Sequence, residues 1–558
     1  MTESKSFSIF FWATLVALGF IYCIGMQLSL MDVDASQYAL MSKEMFYSGN
    51  YLQVLERGKD YLDKPPLIFW TACLSFKVFG VHDWAYRLPS VLCLILGIYS
   101  LYRFCKLYYD EQTAKIAVLI MASCCASYLM TNDVRTDTML TGWVMFSIWQ
   151  IAEFNISSKF KNILLGSIGV GLAMLTKGPI GLIIPVVAFS VEFMYKRQWR
   201  SFFRWQYLVA LIVIAIMLLP MSYGLYEQYD AHPEKTQYGF KSISGLRFFY
   251  WTQSFGRITG ENTWNNSPDP FFLVHSFCWS FLPWTAFFFP AIFVEVKNRI
   301  KTIKDHSQPE AISIGGFLLV FLFLSRSKYQ LPHYTFPLHP LAAVFTATYL
   351  SRNFTIFKSG VFSVFRGLHI FVMFAIYAGI VLLTGFVFPG SVILYVVVTL
   401  SFICFLYILF NKKIAGQNKM LFSTIILSIT LAITLNANFY PNLLSYQASS
   451  EIAKDLNKAA ISDSKLLIFK TYAPNSTMFY CDLPIMEYID ENSLSRNLVK
   501  GKTYIMADSV DIKTVQLLNP QIIKVKDYDN FGVTHLNIRF LNPSTRGLET
   551  GKMVLFKY

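Results

Sequence analysis

Long apolar runs separated by short polar connections dominate this chain. In windows of roughly 17–25 residues, the runs predict membrane spans near residues 7–30, 88–107, 114–130, 138–154, 163–175, 180–195 and 207–223. Further spans are expected near 271–294, 312–324, 335–350, 370–388, 391–410 and 421–435. The pattern is that of an all-α polytopic membrane protein with about thirteen transmembrane helices. The first span is too long for a signal-peptide core and has no small-x-small site before Asp32, so it is expected to remain as an anchor.

Three regions break the pattern. In 31–87, the segments 39–47 and 67–79 read as short amphipathic helices lying on the membrane surface. The loop 227–269 is polar, aromatic and glycine-rich. The third region is the tail. Connections this long are functional or disordered, and their aromatic content argues against disorder. The division expected is a transmembrane catalytic domain over 1–437, with loops 31–87 and 227–269 forming its site, and a soluble α/β domain over 438–558. In the tail, 451–460 reads as a helix capped by Ser449 or Ser450, and 510–518 as another. Strands are expected at 465–470, 503–507, 521–526, 533–540 and 553–557.

Apolar residues make up 54% of the 558, which excludes an ordinary soluble protein. The net charge of +14 is a matter of placement. One set of loops holds Arg103, Lys106, Lys115, Lys159, Lys161, Lys196, Arg197, Arg200, Arg204, Lys297, Arg299, Lys301, Lys304, Arg352, Lys358, Lys412, Lys413 and Lys419. The short loops of the opposite set hold little beyond Arg135, Lys177, Arg326 and Lys328. By the positive-inside rule the N-terminus is cytoplasmic, and an odd number of spans puts the tail outside. Basic residues at helix ends, without stacking aromatics on a soluble face, exclude a nucleic-acid partner. The nine cysteines form no CxxC or Cys/His metal pattern, and Cys481 has no disulfide partner within the tail.

Against this apolar background, acidic residues just outside the hydrocarbon are costly and point to function. Asp32-Val33-Asp34 and Asp63-Lys64-Pro65-Pro66 follow the first span, and Asn132-Asp133-Val134-Arg135-Thr136-Asp137 lies at another outer hairpin. Asp34 precedes Tyr38 and Met41 at helical spacing, so a plain capping role is the alternative reading. Lys177-Gly178-Pro179, Arg257, and the connection carrying Arg326, Lys328, Gln330, His333 and Tyr334 face the same side. Together they describe an outward pocket with carboxylates Asp34 and Asp137, cations Lys64, Lys177, Arg257 and Lys328, and an aromatic lining. It suits an anionic lipid headgroup carrying a polar cargo. Carboxylates beside a lysine also suit group transfer, one group acting as base and another neutralising a leaving anion.

The motifs Asp34-Ala35-Ser36-Gln37-Tyr38-Ala39, Asp63-Lys64-Pro65-Pro66-Leu67, Arg87-Leu88-Pro89-Ser90, Thr176-Lys177-Gly178-Pro179, Leu282-Pro283-Trp284 and Leu331-Pro332-His333-Tyr334 resemble the GT-C glycosyltransferases. The similarity runs over about residues 30 to 350. It is strongest to the branch containing the 4-amino-4-deoxy-L-arabinose lipid A transferases and the protein O-mannosyltransferases. The resemblance implies a bacterial inner-membrane enzyme, in contact with the lipid bilayer, that uses a polyprenyl-phosphate-linked sugar donor and no nucleotide cofactor. Its acceptor is lipid A, another surface glycan or a protein. Asp34 matches the family's catalytic aspartate and Asp137 its second acidic position. Tyr61, Lys64 and Tyr334 fall where members hold the lipid phosphate, and Lys177 and Arg257 join them as donor-phosphate groups. Asp63 matches a carboxylate that takes part in metal binding in the lipid A branch, so Asp63 and His333 are the candidate ligands of a divalent metal. Many relatives carry Glu and Arg where this chain has Ala35 and Gln37, and a Glu-His pair near Trp251-Thr252-Gln253-Ser254 is absent.

The activity expected is an inverting glycosyl transfer. A transporter or flippase of lipid-linked sugar is the alternative from another class, but it places charge near mid-membrane rather than at one face. A catalytically idle scaffold relative is suggested by Ala35 and Gln37 and opposed by Asp34, Lys64 and Asp137.

Overall fold

The computed structural model describes the chain except residues 1–4, 238, 260, 262–265, 267, 354–359 and 460–462. Lys358 of the basic loop set and Ala460 of the expected tail helix lie outside the described residues.

Among the described residues, six helices are long and apolar enough to cross a membrane: Lys5–Met26, Asp83–Tyr108, Gln206–Asp230, Phe362–Val387, Val392–Phe410 and Gly416–Leu444. Two bent pairs raise the number to eight if each is one span. The chain is a polytopic membrane protein, though length and apolarity alone do not yield thirteen spans. The segment expected at 114–130 is two helices, Glu111–Ser123 and Cys125–Asn132, meeting at 46°. That at 271–294 is Phe272–Ser280 and Thr285–Lys301, turned by 116°; the break falls at Leu282-Pro283-Trp284, since proline cannot donate in a helix interior. Ile180–Tyr195 and Ile312–Ser325 are apolar but short, with 16 and 14 residues. At 1.5 Å per residue they reach only about 21–24 Å of the roughly 30 Å hydrocarbon core.

Helix Thr136–Ser157 packs between Asp83–Tyr108 and Phe160–Lys177. The approach to Asp83–Tyr108 is so close that a Cβ at Gly142 would collide with the Cys93 carbonyl oxygen. Small residues permit this kind of backbone contact between membrane helices. Gly142→Ala is therefore expected to cost about 1–3 kcal/mol through overpacking, read as a lowered melting temperature of the detergent-solubilised protein. An unchanged melting temperature would show that the two helices separate freely.

The tail folds around a five-stranded sheet in the order Ile485–Ile489, Lys465–Phe469, Thr503–Asp508, Gly551–Lys557, Ile523–Asn530. Lys465–Phe469 runs parallel to both its neighbours, while the last two pairings are antiparallel. Two expectations fail here. Residues 533–540 are not a strand: Asn537 and Asn542 accept from the backbone N–H groups of Phe540 and Ser544 at 2.8 and 3.1 Å, starting helices Ile538–Leu541 and Pro543–Glu549. Those capping bonds outweigh the apolar alternation. Nor do Ser449 and Ser450 cap a helix, which begins earlier, at Ala448; both are buried hydrogen-bonding residues within it. Strand Ile485–Ile489 and helices Asn475–Tyr480 and Glu491–Asn497 were not legible. Cys481 is buried and free.

Candidate active site

Helix ends carry the charged residues to one end of the bundle. Asp34 is the first residue of helix Asp34–Ser48, and Asp137 sits in the first turn of Thr136–Ser157. Lys177 is the last residue of Phe160–Lys177. Each has the sign its helix terminus favours. Asp63 and Lys64 precede Leu67–Phe79, whose first turn is prepared by Pro65 and Pro66. Asp34 does not act as the cap of its helix: Val33 holds that position and makes no side-chain cap bond.

The Asp34 carboxylate instead accepts from the guanidinium of Arg135. Arg135 also grips Asp133, with Nε at 2.9 Å and Nη2 at 2.8 Å. Asp137 is buried, and Lys177 Nζ donates to its Oδ1 at 2.5 Å. Its Oδ2 has no hydrogen-bond partner among the described residues and lies 3.7 Å from His333 Nε2. Lys177 Nζ also stands 4.3 Å from the centre of the Tyr334 ring, a cation–π contact. The Tyr334 hydroxyl accepts from Arg257, whose Nη2 is 3.9 Å from Asp63 Oδ1. Asp63 accepts from Lys64 and from Gln253.

These groups line a single cavity of about 1190 Å³, counted out to its open mouth. Asp34, Asp63 and Asp137 share its wall with Lys64, Arg135, Lys177 and Arg257, and with His333 and Tyr334. Leu140, Ile180, Ile183, Ile184, Phe323 and Leu324 make the wall apolar elsewhere. Four cations face three carboxylates, most of them largely buried, where water screens charge weakly. The cavity therefore joins a densely charged wall, with one cation in excess, to an apolar one. His333 is held well below its ordinary range, first by burial and then by repulsion from Lys177, Arg135, Lys64 and Arg257. Both effects favour the neutral imidazole.

Asp34, Asp137, Lys64, Lys177, Arg257, Tyr334, Asp63 and His333 are thus brought together on one wall. Tyr61 stands behind it, its hydroxyl 3.5 Å from Asp63 Oδ2. Lys328 is exposed and is not a lining residue; Arg135 takes that cationic place. Gln37 turns aside, donating to Glu56 at 2.6 Å. Arg135 stood out in the sequence only as part of the Asn132–Asp137 cluster, and Gln253 only beside an absent Glu-His pair. Their partners could not be read, because nothing along the chain pairs them with Asp34, a hundred residues away, or with Asp63. Among the described residues no three His, Cys, Asp or Glu side chains converge as metal donors. Asp63 is already paired with Lys64 and bonded to Gln253, a poor fit for a divalent ion.

A family model described as dolichyl-phosphate-mannose-protein mannosyltransferase matches residues 63–223. An undecaprenyl phosphate-alpha-4-amino-4-deoxy-L-arabinose arabinosyl transferase of Pseudomonas paraeruginosa is 26% identical over 59% of this chain and 57% of its own length. A second such transferase, from Proteus mirabilis, is 25% identical over 57% of this chain and 55% of its own. The chain thus matches less than two thirds of the length of these relatives. The crystal structure of ArnT from Cupriavidus metallidurans bound to undecaprenyl phosphate superposes with a TM-score of 0.70, at 17% identity, covering 99% of this chain and 98% of that one. This is the GT-C fold. The resemblance carried by the motifs is to GT-C glycosyltransferases that use polyprenyl-phosphate sugars; the family model and the relatives carry names of that kind, and the superposition adds the fold. Within the GT-C fold the family model starts at Asp63, inside the cavity wall, and runs through Asp137 and Lys177.

Proposed function

We propose that this chain is an inverting glycosyltransferase that moves a sugar from a polyprenyl-phosphate donor to an acceptor at the outer face of a bacterial inner membrane. The observation that carries the reading is the cavity itself, in which Lys64, Lys177, Arg257 and Arg135 meet an apolar wall at one end of the bundle. In this reading the lipid phosphate lies among Lys64, Lys177, Arg257 and Tyr334, with Tyr61 supporting Asp63 from behind. Asp34 orients the acceptor hydroxyl or amine and takes up its proton. The nucleophile attacks the anomeric carbon as the bond to the phosphate oxygen breaks, and the polyprenyl phosphate leaves as an anion. Because fixed cations absorb that charge, the leaving group needs no proton. Asp137 serves by holding Lys177 in place. The acceptor is a lipid, as with lipid A, another surface glycan or a protein.

Two features count against a transporter. The charges gather at one end of the bundle, and each is committed to an ion pair rather than spread along a path. The test is transfer from a synthetic short-chain polyprenyl-phosphate sugar, followed by mass spectrometry of envelope lipids and glycoproteins from cells with and without the gene.

The orientation belongs to the same proposal: N-terminus cytoplasmic, with the site and the C-terminal α/β domain (438–558) periplasmic. Single cysteines at Ser48 and at Asn530 should react in intact cells with an impermeant thiol reagent, and one at Gln198 should not. Labelling at Gln198 with none at Ser48 would place the site in the cytoplasm.

A further inference from the structure

The segment that leads into Asp34 is tied to the far end of the chain. Asp32 accepts from Ser36 Oγ at 2.5 Å, Ser476 Oγ at 2.6 Å, Ser449 Oγ at 3.1 Å and the Ser476 backbone N–H at 3.2 Å. Its own N–H donates to Gln447 Oε1 at 2.9 Å, while Gln447 Nε2 donates to the Leu30 carbonyl at 2.9 Å. The Leu30 N–H donates to the Tyr480 hydroxyl at 2.7 Å. Residues 30–32 are therefore bonded by the stretch 447–480, which lies more than 400 residues away in sequence.

A carboxylate that accepts four hydrogen bonds is a strong local anchor. Asp32 is not on the cavity wall, so it does not meet what the cavity holds. Asp34 is two residues on, 39% exposed, with Arg135 as its ion-pair partner. A short stretch of backbone, fixed by Asp32 on one side and helix Asp34–Ser48 on the other, determines where the Asp34 carboxylate stands.

We propose that Asp32 is a positioning residue for Asp34, and that Gln447, Ser449 and Ser476 of the C-terminal region set the place of that carboxylate in the cavity. The proposal rests on Asp34 being the catalytic carboxylate. It gives the C-terminal region a part in turnover without any contact with substrate. The cations assigned to the donor phosphate sit on other segments, so donor binding does not depend on Asp32.

The test uses the full-length protein and four forms: parent, Asp32→Ala, Asp34→Asn and the double variant. Misplacing a catalytic group by about 1 Å costs up to 10²-fold, so Asp32→Ala should lower kcat about thirtyfold with donor KM changed less than about threefold. In the Asp34→Asn background, followed over long incubations, the same substitution should change the residual rate less than about twofold, since coupled residues are non-additive. Hydrogen exchange should quicken at residues 30–37 and stay unchanged at Lys465–Phe469. A purely structural role lowers the amount of folded enzyme and cuts the rate by the same factor in both backgrounds; that result overturns the proposal, as does parental turnover by Asp32→Ala. Full turnover by Asp34→Asn alone is a different failure, of the catalytic reading and of this proposal with it. Should Asp32→Ala fail to accumulate, the double variant Ser449→Ala/Ser476→Ala keeps Asp32 and removes two hydroxyl donors. It should lower kcat about threefold to tenfold, again only when Asp34 is present, and an undiminished kcat overturns the proposal.

Discussion

Asp34→Asn should insert and accumulate normally while losing turnover by about 10²–10⁴-fold, the contribution of a positioned carboxylate in proton transfer. Asparagine keeps the size and one acceptor oxygen, so the bond from Arg135 can persist, but the proton acceptor and the charge are gone. The Arg135 pair holds the Asp34 carboxylate in place, so in the proposed reaction it orients the acceptor as well as taking up its proton. Turnover by the variant at the parental rate would return Asp34 to an ordinary surface carboxylate at a helix start. The assay is initial-rate transfer with matched amounts of purified protein.

Lys64→Ala should lower kcat/KM by roughly thirty- to a thousandfold, corresponding to about 2–4 kcal/mol for a charge-assisted contact made in the transition state. The Lys64 ammonium is paired with Asp63 on the cavity wall, so its removal strips a cation from that wall and leaves Asp63 to Gln253 and Arg257. Both changes make the site less attractive to an anion. Lys64→Arg should recover part of the loss, since the charge returns on a broader, planar group. A kcat/KM within threefold of the parent for Lys64→Ala would remove Lys64 from the donor site.

Much of this site was legible in the sequence because membrane proteins punish misplaced charge. Once the apolar runs are marked, Asp34, Asp63, Lys64, Asp137 and Lys177 stand out as charges at the boundaries of those runs, and function is the economical reason for them. Their pairing was not legible. Asp137 with Lys177, Asp34 with Arg135 and Asp63 with Gln253 join residues up to 190 apart, and no local rule links such positions. Lys328 was misplaced for the same reason: a polar hairpin suggests a shared face, but which side chains turn inward depends on the neighbouring loop that carries Arg257. In the fold, hydropathy found the apolar segments yet could not separate a full span from a short buried helix such as Ile312–Ser325. In the tail, alternation predicted a strand at 533–540 where Asn537 and Asn542 start helices. Asp32 offered no sign of its four partners, three of which come from the C-terminal region.

The most direct measurement offers the purified protein two donors in parallel, a synthetic short-chain polyprenyl-phosphate sugar and the corresponding nucleotide sugar, each with Lys64 intact and with Lys64→Ala. A transferase built around a cationic cavity for a lipid phosphate should use only the first donor and lose most of that transfer in the variant. Efficient transfer from the nucleotide sugar, indifferent to Lys64, would contradict it.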